Sequence, residues 1–178
     1  MTFHVVDESV EWTGSRISGA KVVVEGPGGE RHEREIVHHP GAVAVVPWHE
    51  DGTITLVRQY RVALDADIWE IPAGLRDVEG EPTELTASRE LVEEAGLRAG
   101  HLEHMVTFHN SPGFSDEAVI VYLATDLTEV PVDRQSPEEQ HMTLTRVSLD
   151  DGLAMVDDGR ITDAKTVIAL LALARRRG

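Results

Sequence analysis

The chain has no cysteine, so disulfides and thiolate metal sites are excluded. This also suits a reducing compartment. No apolar run reaches the roughly 18 residues that a membrane-spanning helix needs. The start, Met1-Thr2-Phe3-His4-Val5-Val6-Asp7, has neither the basic nor the apolar segment of a secretory leader. A soluble, cytoplasmic protein is the expectation. Positive charge is also scarce, with 16 Lys and Arg against 32 Asp and Glu and a net charge of -16. Nucleic acid polymers are bound by basic surface, so DNA or RNA is not an expected partner. An anionic small molecule would need local cations, either metal ions or a few placed arginines. Taken alone, the acidity says no more than solubility.

What is present is enough chain, 178 residues, for one domain or one domain with a small appendage. Such a length buries a core without staples. Residues 3–39 read as short strands: Arg16 to Glu25 contains Ala20-Lys21-Val22-Val23-Val24, Gly26-Pro27-Gly28-Gly29 breaks the run, and Arg31 to His38 returns as a hairpin partner. Pro40-Gly41 marks a boundary. The division expected is residues 1–40 as an N-terminal antiparallel β region, and residues 41–178 as the main domain.

Beyond the boundary, Ala42 to Val46 reads as a buried strand and Thr53 to Arg61 alternates like a half-buried one. Strands are expected at Ile68–Ile71, His101–His109, Ala118–Ala124 and Met142–Val147, with a polar loop from Asp126 to His141. The pattern predicts a helix over Thr83–Ala95, with Pro82 near its start and Gly96 just past its end. Two closing helices are expected near Leu149–Val156 and Thr162–Arg176. The last carries Val167, Ile168, Leu170, Leu171 and Leu173, which predicts burial on more than one side. Strands and helices without a regular βαβα alternation indicate an α/β (α+β) class with a mixed sheet and packed helices.

On a wheel of 3.6 residues per turn, Leu85, Ser88, Leu91, Val92 and Ala95 fall on one side of the 83–95 helix. Glu90, Glu93 and Glu94 fall nearly opposite. Glu90 and Glu94 are i,i+4 neighbours, and Glu93 is three residues from Glu90. Like charges so placed repel, and a hard divalent cation relieves the repulsion through carboxylate oxygen. Three glutamates alone read as an ordinary solvated helix face, with Arg89 pairing Glu93 and Gly96 as a simple cap.

The full segment Arg89-Glu90-Leu91-Val92-Glu93-Glu94-Ala95-Gly96-Leu97 goes further. It resembles the distal part of the Nudix box, Arg-Glu-apolar-any-Glu-Glu-any-Gly-apolar, at every position. Glu81 stands eight positions before Arg89, as that pattern asks. There is one departure: six residues separate Gly74 from Glu81 where the family has five, and Gly80 holds the usual glutamate position. The loop is one residue longer. The resemblance covers roughly residues 42–175 and implies a Nudix α/β/α sandwich around a mixed sheet.

Flanking segments resemble the ADP-ribose pyrophosphatase branch of the family, in particular actinobacterial ADP-ribose hydrolases. They are Val57-Arg58-Gln59-Tyr60-Arg61, Trp69-Glu70-Ile71-Pro72-Ala73-Gly74 and Ser111-Pro112-Gly113-Phe114-Ser115-Asp116-Glu117. The resemblance implies Mg²⁺ or Mn²⁺ as cofactor, held by Glu90, Glu94 and Glu93 with the main-chain carbonyl of Ala73. Arg89 would orient the carboxylates. Glu138 or Glu139, in the long loop before the last strand, would supply a mobile catalytic glutamate. Arg58 and Arg61 would contact phosphate or the terminal ribose, and Glu70 adenine, from the same or the other subunit. Trp69 would offer a stacking surface or pack in the core or a dimer contact. Pro112, Gly113 and Ser115 would belong to the substrate loop.

The implied reaction is hydrolysis of ADP-ribose, or a related ADP-sugar, to AMP and ribose 5-phosphate by a homodimer joined through its N-terminal region. Another nucleoside diphosphate sugar or dinucleotide, such as GDP-mannose or NADH, is the alternative substrate. A nucleotide-sensing module without turnover and a purely structural acidic domain are the readings from other classes.

Overall fold

The computed structural model describes residues 2–132 and 141–177. These form two compact units. The first comprises the chain up to Gly41 together with His109–Ala118. Its strands β1 (His4–Thr13), β2 (Ser18–Glu25) and β3 (Arg31–His38) make an antiparallel sheet in the order β1-β2-β3. Ala20 and Val22 are its buried hydrophobic side chains, while every residue of β1 is exposed. The 109–118 segment joins this sheet by main-chain bonds: Val37 N–H donates to the Phe114 carbonyl at 2.7 Å, and Asp116 N–H to the Val37 carbonyl at 3.3 Å.

The second unit runs from Ala42 to Phe108 and resumes at Val119. It contains β4 (Ala42–Pro47), β5 (Thr53–Arg61), β6 (Ala66–Glu70), β7 (Ala73–Leu75), α1 (Thr83–Ala95), β8 (Leu97–Arg98), β9 (His101–His109) and β10 (Ala118–Thr125). After these come β11 (Thr128–Glu129), β12 (Thr143–Ser148), α2 (Leu149–Asp157) and α3 (Ala164–Arg177). One sheet has the order β7-β4-β10-β9, a second β12-β5-β6, and β11 pairs with β8. The first sheet is mixed, because β10 runs parallel to β4 and β7 antiparallel to it.

Strand β4 is buried along its whole length, as a strand covered on both faces must be. Alternate residues serve two cores. Ala44 and Val46 pack with Ile54, Leu56, Val121, Leu123, Leu170 and Leu173. Val43 and Val45 pack with Ala87, Leu91, Ala95 and Tyr122. Helices α2 and α3 thus close one face of the sheet and α1 the other, a mixed α/β sandwich with an antiparallel N-terminal sheet.

Two expectations need correction. Helix α1 buries Thr86, Ala87, Glu90, Leu91, Glu94 and Ala95, whereas Leu85 is 58% exposed. The inward arc therefore contains two of the three glutamates. Helix α3 buries a single face carrying Thr166, Ala169, Leu170 and Leu173, and Leu171 is half exposed. The strands β7, β8 and β11 are two or three residues long, too short to carry a periodicity.

Leu91 fills the core between α1 and β4 and Leu85 does not. Leu91→Ala should lower unfolding free energy by about 2–4 kcal/mol, and Leu85→Ala should stay within about 0.5 kcal/mol of the parent. Urea denaturation of both variants measures this, and equal losses would contradict the inward arc described.

Candidate active site

The site is built where α1 crosses the short strand β7. Residues Ala73 and Gly74 are fixed by pairing with Ala44 and Val43 of β4. Helix α1 begins after Pro82, which has no side-chain cap bond, and ends at Gly96 in the left-handed region with φ 63°. Its apolar residues Ala87 and Leu91 seat on Val43 and Val45, which turns Glu90 and Glu94 toward β7. A Cβ added at Gly74 would lie 1.9 Å from the Glu90 carboxyl carbon. Only glycine lets the backbone pass this close. The Ala73 N–H donates to Glu94 Oε2 at 2.8 Å.

Two carboxylates in so dry a place resist ionisation. Burial pushes Glu90 up to about 7, with the charges of Glu93 and Asp77 acting the same way and Arg89 opposing. Burial likewise pushes Glu94 up to about 8, against the Ala73 N–H bond and the charge of Arg61. Arg89 lies among acids. It donates to Glu90 at 2.8 Å and Glu93 at 3.2 Å, and stands 3.5 Å from Asp77 and 3.6 Å from Glu81. Among the described residues, its Nε and Nη2 are buried without a hydrogen-bond partner. Glu81 is thus tied to the helix despite the longer loop, and it also accepts the Thr86 hydroxyl at 2.8 Å. A turn closed by the Glu81 N–H to the Val78 carbonyl at 3.1 Å takes up the loop before it.

Among the described residues, no three carboxylates or imidazoles converge tightly enough to hold an ion by themselves. The fit to a hard divalent cation rests on the Glu90–Glu94 pair, on oxygen donors alone, and on proton affinities that a cation would lower.

A second cluster surrounds Glu70, which is 0% exposed. Arg61 donates to it twice, Nε to Oε1 at 2.6 Å and Nη2 to Oε2 at 2.7 Å, and Lys165 Nζ also donates to Oε2. Burial pushes the Glu70 carboxyl up, but the two cations outweigh it and hold it below its ordinary value. Both oxygens of Glu70 are thus engaged by side-chain donors. Arg58 and Arg61 do not form one patch. Side chains alternate along β5, placing Arg58 on the opposite face from Arg61. There it lies 5.7 Å from the centre of its cross-strand neighbour Trp69.

Pro112, Gly113 and Ser115 belong to the first unit, in a turn where Ser115 N–H and Phe114 N–H donate to the Ser111 carbonyl. Glu138 and Glu139 lie outside the described residues. Lys165 went unnoticed in the sequence. The available signal was its place in the first turn of a helix, where a cation opposes the macrodipole.

The raised carboxyls set a pH dependence. A group with folded pKa above its unfolded value of 4.5 stabilises fully below about 4.5 and loses that contribution as pH rises through the folded value. Chelator-treated protein should therefore lose thermal stability between about pH 5 and about pH 8.5. Mn²⁺ should raise the melting temperature more at about pH 8 than at about pH 6, because the ligands must be ionised. A melting series that is flat with pH, or stabilisation larger in acid, would contradict the site.

Residues 38–169 match the model of the NUDIX domain family. The ADP-ribose pyrophosphatase of Mycobacterium tuberculosis (strain ATCC 25618 / H37Rv) is 40% identical over 171 residues, 96% of this chain and 83% of that one. The ADP-ribose pyrophosphatase of Bacillus subtilis (strain 168) is 44% identical over 147 residues, 83% and 79% of the two chains. A crystal structure described as an ADP compounds hydrolase superposes with a TM-score of 0.85 at 23% identity. It covers 98% of this chain and 94% of its own, a likeness of fold. With a family match across most of its length and relatives this similar, the chain belongs to the Nudix family.

Proposed function

We propose that the chain is a hydrolase that cleaves the pyrophosphate bond of ADP-ribose or a related ADP-sugar, giving AMP and ribose 5-phosphate. The supporting observation is the buried Glu90–Glu94 pair against Ala73 and Gly74. It occurs in a chain 40% and 44% identical to two proteins named ADP-ribose pyrophosphatase. In the reaction, water oxygen bonds to one phosphorus, the bridging P–O bond breaks, and the bridging oxygen leaves with the other phosphate.

Glu90, Glu94 and Glu93, with the Ala73 carbonyl, would hold Mg²⁺ or Mn²⁺. Such an ion, when bound, supplies neutralisation of the diphosphate and a lowered pKa for the attacking water. Arg89 orients Glu90 and Glu93 through its hydrogen bonds. Arg61 supplies the local cation that an acidic chain needs to hold a diphosphate. Arg58 and Trp69, on the other face of β5 and β6, contribute a cation and a ring that suit ribose or a base. Glu138 or Glu139 takes the proton of the attacking water. Pro112, Gly113 and Ser115 shape a substrate loop. Residues 1–40 serve as a dimer contact and residues 41–178 carry the chemistry. Exposed Val5, Val10 and Trp12 on the N-terminal sheet suit that contact.

Incubation of the purified chain with Mg²⁺ and ADP-ribose, GDP-mannose or NADH, followed by chromatography, tests this. ADP-ribose should be consumed fastest, with AMP and ribose 5-phosphate in equal amounts. Glu94→Gln should lower kcat by roughly three orders of magnitude with the fold intact. Preferential cleavage of GDP-mannose or NADH would reassign the substrate, and near-normal turnover in folded Glu94→Gln would refute the role given to the pair.

A further inference from the structure

Lys165 has no part in the function just proposed, yet its setting is unusual. Its side chain is 12% exposed, and lysine is almost never buried unless paired. It sits in the first turn of α3, where the helix dipole disfavours a cation. Two carboxylates compensate: Glu70 through Oε2 and Asp163 through Oδ1 at 2.9 Å. Asp163 caps the same helix, accepting the Thr166 N–H at 3.0 Å and its hydroxyl at 2.6 Å. The Thr166 hydroxyl oxygen in turn accepts the Ile71 N–H at 2.9 Å, at the end of β6. The start of α3 is thereby locked to the strand end that carries Glu70.

The result is a row of alternating charge, Asp163, Lys165, Glu70, Arg61, whose last member is the most exposed, with its side chain 41% exposed. Arg61 also stands close enough to Glu94 for each charge to act on the other. A buried carboxylate must be neutralised. If Arg61 were its sole partner, Glu70 would draw the guanidinium inward and cancel its charge. Lys165 on Oε2 shares that duty. Among the described residues, Arg61 Nη1 makes no hydrogen bond.

We propose that Lys165 is a positioning residue. By sharing the carboxylate of Glu70 it fixes the direction of the Arg61 guanidinium and leaves it able to bind the diphosphate of the substrate. This rests on the diphosphate substrate proposed above and adds a residue on another element that acts through Arg61.

Calorimetric titration of the full chain with inorganic pyrophosphate and Mg²⁺, beside KM and kcat for ADP-ribose, tests it. Lys165→Met should weaken pyrophosphate binding and raise KM on the order of ten-fold, while kcat moves less than about three-fold. Lys165→Arg, which keeps the charge, should stay within about three-fold of the parent. In an Arg61→Ala background, Lys165→Met should change binding by less than about two-fold, because the residue acts only through Arg61. If the methionine variant does not fold, Lys165→Gln, which keeps a donor to Glu70, is titrated in its place, with several-fold weakening expected. Unchanged pyrophosphate binding in these variants, full additivity with Arg61→Ala, or no binding by the parent would overturn the proposal. The expected binding pattern without ADP-ribose hydrolysis would support Lys165 and count against the substrate.

Discussion

Two carboxylates are held inside a helix–sheet interface, and the remaining features of the site follow from that constraint. Glu90 and Glu94 lie on the buried arc of α1, where ionising either one is opposed by burial, with the charges of Glu93 and Asp77 adding to this at Glu90 and those of Glu90 and Glu70 at Glu94. An apolar pair at these positions would pack without penalty. The pair is tolerable in a metal-free fold as partly protonated acid, and as carboxylate once a cation supplies the missing charge. On the proposed reading, a helix interface that would otherwise only stabilise the domain responds to a divalent ion.

The rest of the fold serves this interface. Strand β4, buried on both faces, gives α1 a flat apolar seat through Val43 and Val45 and pins β7 through Ala44 and Val43. Gly74 lets the β7 backbone reach the Glu90 carboxyl, and Arg89 gathers Asp77, Glu81, Glu90 and Glu93 around one guanidinium. Ion pairs of this kind contribute little stability where solvent reaches them. What they provide here is a fixed direction for the carboxylates of Glu90 and Glu93. The Glu70 cluster follows the same logic, a buried carboxylate held by donors from two elements, β5 and α3, with the outermost donor turned toward solvent.

Helix α1 was legible in the sequence because Pro82 and Gly96 bracket it, and β5 because Thr53 to Arg61 alternates. The inward face of α1 was misread. A wheel assigns the core by apolarity, so it grouped Leu85 and Val92 with Leu91, whereas two of the true core positions are glutamates. Such a violation of patterning marks a site more often than an error. Arg58 and Arg61 were both read as contacts to phosphate or the terminal ribose, and their odd spacing on a strand puts them on opposite faces. Glu70 and Lys165 are 95 residues apart, and their pairing depends on how α3 docks on β6, which no local pattern encodes. Short β7, whose backbone carries half of the site, has too few residues for periodicity to report.

The central claim is that Glu90 and Glu94 hold protons in the metal-free fold and give them up to a cation. Mn²⁺ titration by calorimetry at pH 7, repeated in buffers of different ionisation enthalpy, counts those protons directly. The account predicts release of roughly one proton per ion bound at pH 7, more at lower pH, and clearly less from Glu94→Gln. Binding without proton release, or equal release from parent and variant, would contradict it.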